Sequence, residues 1–173
     1  PQKLVSVGGS ALTIADVNGD GRLEVVVGGT DGACWIGSPH ALWGPIRAFS
    51  LGVAPSAVAA GDFDGDGDVD FVFDAGTSLV VLENAGAAGL RVLAMLSMVG
   101  TRALACADFD RDGDLDLAAA GGGGARVWWN ERPGVLMDAG LRLGRQPASA
   151  LLAVDIDGDA DCDLITAAAD GGL

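Results

Sequence analysis

One acidic segment, written four times at an almost constant interval, constrains this 173-residue chain more than any other feature. The copies read ADVNGDGRLEVVV, GDFDGDGDVDFVF, ADFDRDGDLDLAA and VDIDGDADCDLIT, and their first aspartates are Asp16, Asp62, Asp108 and Asp155. The spacings are 46, 46 and 47 residues. A fixed period of this size means one supersecondary unit copied in tandem, each unit burying its apolar face against the next.

Each unit reads as short strands separated by turns, without helical periodicity. An apolar run precedes the acidic segment (SAVAA, RALACA, ALLAV) and another follows it (VDFVF, LDLAAA, CDLITAAA). A third strand comes after a turn (SLVVLEN, ARVWWNE and, more weakly, ACWIG), then a fourth (IRAFSLG, VLAMLSM, LMDAGLRLG). Four short antiparallel strands per repeat make a propeller blade. The expected fold is therefore all-β, a β-propeller of four-stranded antiparallel blades in a single domain over residues 1–173. With KLVSV before the first acidic loop and AAADGGL after the second strand of the fourth unit, about three and a half blades are expected. Such a segment is either part of a larger propeller or one that closes with another chain, since an open stack leaves edges and apolar faces exposed. The glycine-rich AGGGGAR (120–126) falls at a turn between strands and lacks the Lys-Ser/Thr of a phosphate-binding loop.

The loops carry the chemistry. Counted from the first aspartate, positions 1, 3, 5 and 9 are Asp16, Asn18, Asp20 and Glu24 in loop 16–24, and Asp62, Asp64, Asp66 and Asp70 in loop 62–70. In loops 108–116 and 155–163 they are Asp108, Asp110, Asp112 and Asp116, and Asp155, Asp157, Asp159 and Asp163. All are oxygen donors, and calcium takes six to eight oxygens from alternating carboxylates plus a main-chain carbonyl. The carbonyl falls to position 7, which is Arg22, Asp68, Asp114 or Asp161. A cationic side chain is tolerable there only because the backbone, not the side chain, faces the ion. Position 6 is Gly21, Gly67 and Gly113, as a turn with positive φ requires, but Ala160 in the fourth loop, which is expected to be strained. An EF-hand is excluded: position 12 is Val27, Phe73, Ala119 or Thr166, none a ligand. Solvated Asp-Gly turns would explain one such loop; four in register point to a hard cation.

Charge agrees. The formal net charge is −14, from 24 acids and 10 bases, and 15 of the acids occupy positions 1, 3, 5 and 9. Up to four calcium ions, one per loop, would bring −14 to −6. This balance argues against nucleic acid as a partner, while 50% hydrophobic residues suffice for a core. No apolar run is long enough to span a bilayer, and the N-terminal residues lack signal-peptide blocks. Cys34, Cys106 and Cys162 lack metal-ligand spacing.

On these loops, above all AAGDFDGDGDVDFVF and ACADFDRDGDLDLAAA, the chain resembles the FG-GAP and VCBS repeat family, the blades of the integrin α-subunit head and of many secreted proteins. The VCBS-like pattern is the nearer one. The resemblance implies a propeller whose first-to-second strand loops hold calcium on one face.

No nucleophile and base are brought together: the single histidine, His40, stands in GSPHALWGP without a serine or cysteine motif. A non-catalytic role is expected. Trp128, Trp129 and Arg126 in RVWWNER are candidates for ligand binding by stacking, against the plainer reading that one tryptophan packs between blades. Met95 and Met98 are expected to fill gaps between blades, and Cys106 and Cys162 to be small core residues. The expected function is a calcium-binding scaffold for a protein partner or for the remaining propeller blades, extracellular or in another calcium-rich lumen. The alternatives are a lectin-like or adhesion propeller binding glycans between blades, and a non-catalytic domain of a secreted enzyme.

Overall fold

The computed structural model describes residues 9–37 and 46–168, with the backbone alone at 46–48. His40, Trp43 and the segments KLVSV and DGGL lie outside the described residues. The first sheet holds β1 (Ala11–Ala15), β2 (Glu24–Gly28), β3 (Ala33–Gly37) and β4 (Ile46–Ser50) in that order. The second holds β5 (Val58–Gly61), β6 (Asp70–Asp74), β7 (Ser78–Asn84) and β8 (Leu90–Ser97). The third holds β9 (Thr101–Ala107), β10 (Asp116–Gly121), β11 (Gly124–Asn130) and β12 (Leu136–Leu143). A two-stranded sheet, β13 (Ala148–Val154) with β14 (Asp163–Ala168), completes the row. All pairings are antiparallel. These are three blades and half of a fourth, as the period predicts, and among the described residues the row is open. The strand paired with β2 in the first blade is ALTIA.

The first strands line up, β1 beside β5, β5 beside β9 and β9 beside β13, so the sheets stand radially with the loops at one end. Middle strands are sandwiched between neighbouring blades and therefore read as continuous apolar runs. Side chains still alternate. On β6, Phe71 and Phe73 face Val26 and Cys34 of the first blade, whereas Val72 faces Leu117, Ala119 and Trp128 of the third. On β7, Val80 and Leu82 share the first side, and Leu79 and Val81 the second. Small alanines (Ala120, Ala125, Ala148) fill the seam to the last sheet. The backbones approach closely where Gly28 meets Pro55, whose ring would clash with any Cβ there.

Away from the acidic loops, serines pin the blades together. Ser10 Oγ donates to the Pro55 carbonyl at 2.6 Å, and 46 residues on Ser56 Oγ reaches the Thr101 carbonyl at 2.5 Å. Of the two methionines expected between blades, Met98 is buried in the second seam, but Met95 is 65% exposed. It sits on an outer strand, where one face meets no neighbouring blade.

Candidate metal centre

Each acidic loop leaves the end of a first strand and returns into the second at position 9, and its aspartates are fixed by the loop's own N–H groups. In loop 62–70, Asp62 accepts from Gly65 N–H (2.8 Å) through Oδ1 and from Gly67 N–H (3.0 Å) through Oδ2. Asp64 Oδ1 accepts from Asp66 N–H and Asp66 Oδ1 from Asp68 N–H. Loops 108–116 and 155–163 repeat the pattern bond for bond. In loop 16–24 Asp16 Oδ1 takes Asp20 N–H instead, beside Asn18 Oδ1.

The turn uses two left-handed residues. Position 6 has φ of 80°, 91°, 97° and 70° at Gly21, Gly67, Gly113 and Ala160, so the alanine carries the strain its sequence position implies. Position 4 is left-handed too, at Gly19, Gly65, Gly158 and, at φ 67°, Arg111. The sequence reading missed position 4, although three glycines there were the available signal. Arg111 also forms an ion pair with Asp161, the position-7 residue of the next loop, whose Oδ1 is buried without a partner.

Three loops gather carboxylates tightly. Oxygens of Asp62, Asp64 and Asp66, of Asp108, Asp110 and Asp116, and of Asp155, Asp157 and Asp163 each lie within 4.8 Å of one another. Ligands about 2.4 Å from one calcium ion can be no more than about 4.8 Å apart, so a single ion can reach each set. The donors are hard oxygens throughout, and the groups fit calcium. Loop 16–24, with Asn18 and Glu24, is not among the three.

In the first three loops position 9 is the buried member. Asp70 and Asp116 are fully buried, and Glu24 is 5% exposed. One oxygen of each accepts the N–H of position 2: Val17, Phe63 and Phe109 at 3.1, 2.9 and 2.8 Å. The other oxygen of Asp70 and Asp116 accepts Asn84 N–H and Asn130 N–H, both at 2.8 Å. Burial pushes the Asp70 carboxyl up to about 6 despite those two bonds, and Asp64 and Asp62 add repulsion. Asp116 is raised by the same causes, with Asp110 and Asp112 adding repulsion, and Asp64 is raised chiefly by burial. A site that resists its own ionisation is relieved by a cation. Asn84 and Asn130 escaped the sequence reading; their signal was an Asn ending both SLVVLEN and ARVWWN, 46 residues apart.

The remaining candidates are spread out. Trp128 is 3% exposed and belongs to the seam between the second and third blades. Trp129 is half-buried, and Arg126 lines a cavity with Ser97, Val99 and the Gly122–Gly124 turn. Burial pushes the Cys34 and Cys106 thiols up to about 12.

With the loop geometry laid out, comparison with known proteins is decisive for the family. The FG-GAP-like repeat matches residues 16–73 and 108–166, more than half of the chain. This chain belongs to the FG-GAP-like repeat family. No curated protein matches it at a significant level. Among solved structures, BBS1N in complex with ARL6DN, soaked with lead, superposes with a TM-score of 0.68 at 12% identity, over 96% of this chain and 53% of that one. The mercury-soaked form of that complex gives 0.63 and 13%, over 96% and 49%. The V. cholerae biofilm matrix protein Bap1 gives 0.54 and 20%, over 92% and 28%. At these identities the likeness is one of fold, and the FG-GAP-like chain spans about half the length of the BBS1N chains. No helix among the described residues is long and apolar enough to cross a membrane.

Proposed function

We infer that this FG-GAP-like segment is a calcium-binding, non-catalytic scaffold for protein interaction, working outside cells or in another calcium-rich lumen. The carrying observation is the recurrence, in three successive loops, of carboxylate oxygens within reach of one ion. Asp62, Asp64, Asp66 and Asp70 would hold it in the second loop, with the Asp68 carbonyl, and the corresponding residues would do so in the others. The fixed N–H bonds orient these carboxylates in advance. Calcium supplies charge neutralisation and ties the loop's two ends together. Millimolar calcium would keep even weak sites filled.

The scaffold reading draws on the blade ends. Leu12, Ile14 and the loop residue Leu23 are 64%, 58% and 52% exposed on the first blade, and Leu152 and the loop residue Ile156 are 56% and 67% exposed on the last. The similar BBS1N fold was solved in complex with ARL6DN. A glycan platform at Trp128 and Trp129 finds no comparable support, because Trp128 is committed to the core.

Calorimetric titration of the metal-free chain with calcium chloride tests this reading. Saturable binding to at least three sites is expected, each lost with Asp64→Ala, Asp110→Ala or Asp157→Ala. Absence of saturable binding overturns it.

A further inference from the structure

The metal loops are joined across the blade seams by a repeated bond that the calcium reading does not by itself require. Asn130 ends the third strand of its blade and is 1% exposed. Its backbone N–H donates to Asp116 Oδ1 of its own blade at 2.8 Å, while its side-chain Nδ2 crosses the seam and donates to the Phe63 carbonyl at 2.8 Å. Phe63 is position 2 of the preceding loop, flanked by the proposed ligands Asp62 and Asp64. The Phe63 N–H in turn donates to Asp70 Oδ2. One blade earlier, Asn84 N–H holds Asp70 Oδ1 at 2.8 Å, Asn84 Nδ2 holds the Val17 carbonyl at 3.0 Å, and Val17 N–H holds Glu24. A single chain of hydrogen bonds thus runs Asp116, Asn130, Phe63, Asp70, Asn84, Val17, Glu24, through three loops.

We propose that Asn84 and Asn130 are positioning residues that couple calcium binding between neighbouring loops, so that an ion in one loop tightens binding in the loop before it. The proposal rests on the calcium reading above and adds its regulation. An ion held partly by Asp116 fixes that carboxylate, which fixes the Asn130 backbone. The buried amide then holds the Phe63 peptide, so Asp62 and Asp64 are already ordered when the next ion arrives. Both asparagines, Asn84 and Asn130, are buried, at 7% and 1% exposure, where water competes little for their bonds. Coupling of this kind is reciprocal and is typically about 5- to 150-fold in affinity. The serine bonds at the far end of the blades touch no loop residue and give no such path.

The test uses the chain with loops 16–24 and 155–163 silenced by Asp16→Ala and Asp155→Ala, titrated with calcium chloride by calorimetry. Two ions are expected to bind with positive cooperativity. Adding Asn130→Ala should leave two independent sites, the coupling factor falling to about one. Adding Asn84→Ala instead should leave the cooperativity unchanged, since that residue joins the other seam. In a chain that keeps loops 16–24 and 62–70, the roles of the two variants should exchange, which also covers the case of one variant failing to fold. Unchanged cooperativity in both asparagine variants, or independent sites in the parent, overturns the proposal. A parent that binds no calcium fails the calcium reading instead, a different result.

Discussion

The side-chain amide of Asn130 donates to the main-chain carbonyl of Phe63 at 2.8 Å across the seam between the second and third blades, and Asn84 repeats the bond to Val17. The seam is apolar in its body, with the serine bonds at its far end and this polar end beside the loops. Stability therefore rests chiefly on the apolar residues that alternate to either side of each middle strand, while the polar end sets where the acidic loops stand.

Phe71 is fully buried between the first and second blades. Phe71→Ala should cost about 3–5 kcal/mol, as large-to-small core substitutions of phenylalanine do. Met95→Ala, on the exposed outer strand, should stay within about 0.5 kcal/mol. Urea unfolding of both variants measures the contrast.

Ala160 holds φ 70° where the other three loops have glycine. A left-handed non-glycine residue costs about 1–2 kcal/mol, partly offset by the greater freedom of glycine in the unfolded chain. Ala160→Gly should therefore raise the melting temperature slightly even in chelator and tighten the fourth loop for calcium. Gly67→Ala should do the opposite in the second.

Without metal, pH should act in an unusual direction. The Asp70 carboxyl is pushed up to about 6 from its ordinary 3.8 by burial, so the folded chain binds this proton more tightly than the unfolded chain. That contribution is present in full below about 3.8 and is lost as pH rises through about 6. Asp116 and Asp64 are shifted the same way. In chelator, melting temperature should rise as pH is lowered from 7 toward 4.5. With calcium present the trend should reverse, because protons then compete with the ion.

The exposed apolar residues of the first blade occupy known places in the repeat. Leu12, Ile14 and Leu23 correspond, 46 residues apart, to Val58, Ala60 and Val69, which the preceding blade covers. Paired substitution of Leu12 and Ile14 by lysine should leave the melting temperature nearly unchanged and reduce self-association in light scattering.

The parts of this molecule legible in the sequence are those that a single repeat specifies. Alternating acids and a glycine at position 6 identify the loop, and apolar runs on either side identify the strands. Projecting the period back from Val58 puts a first strand at Leu12, where β1 stands. What stayed hidden belongs to the relation between repeats. Nothing in ARVWWN alone says that its Asn reaches Phe63, and nothing in VLAMLSM says that Met95 lies beyond the reach of the next blade. Position 4 was obscured by Arg111, whose left-handed backbone shows only in the folded loop.

The most direct test is thermal unfolding of the chain in chelator and then in millimolar calcium. A ligand present at 100 times its dissociation constant stabilises the folded state by about 2.7 kcal/mol per site. The melting temperature should rise markedly on adding calcium, fall again with excess chelator, and respond less in Asp64→Ala and Asp110→Ala. A melting temperature indifferent to calcium and chelator would contradict the account.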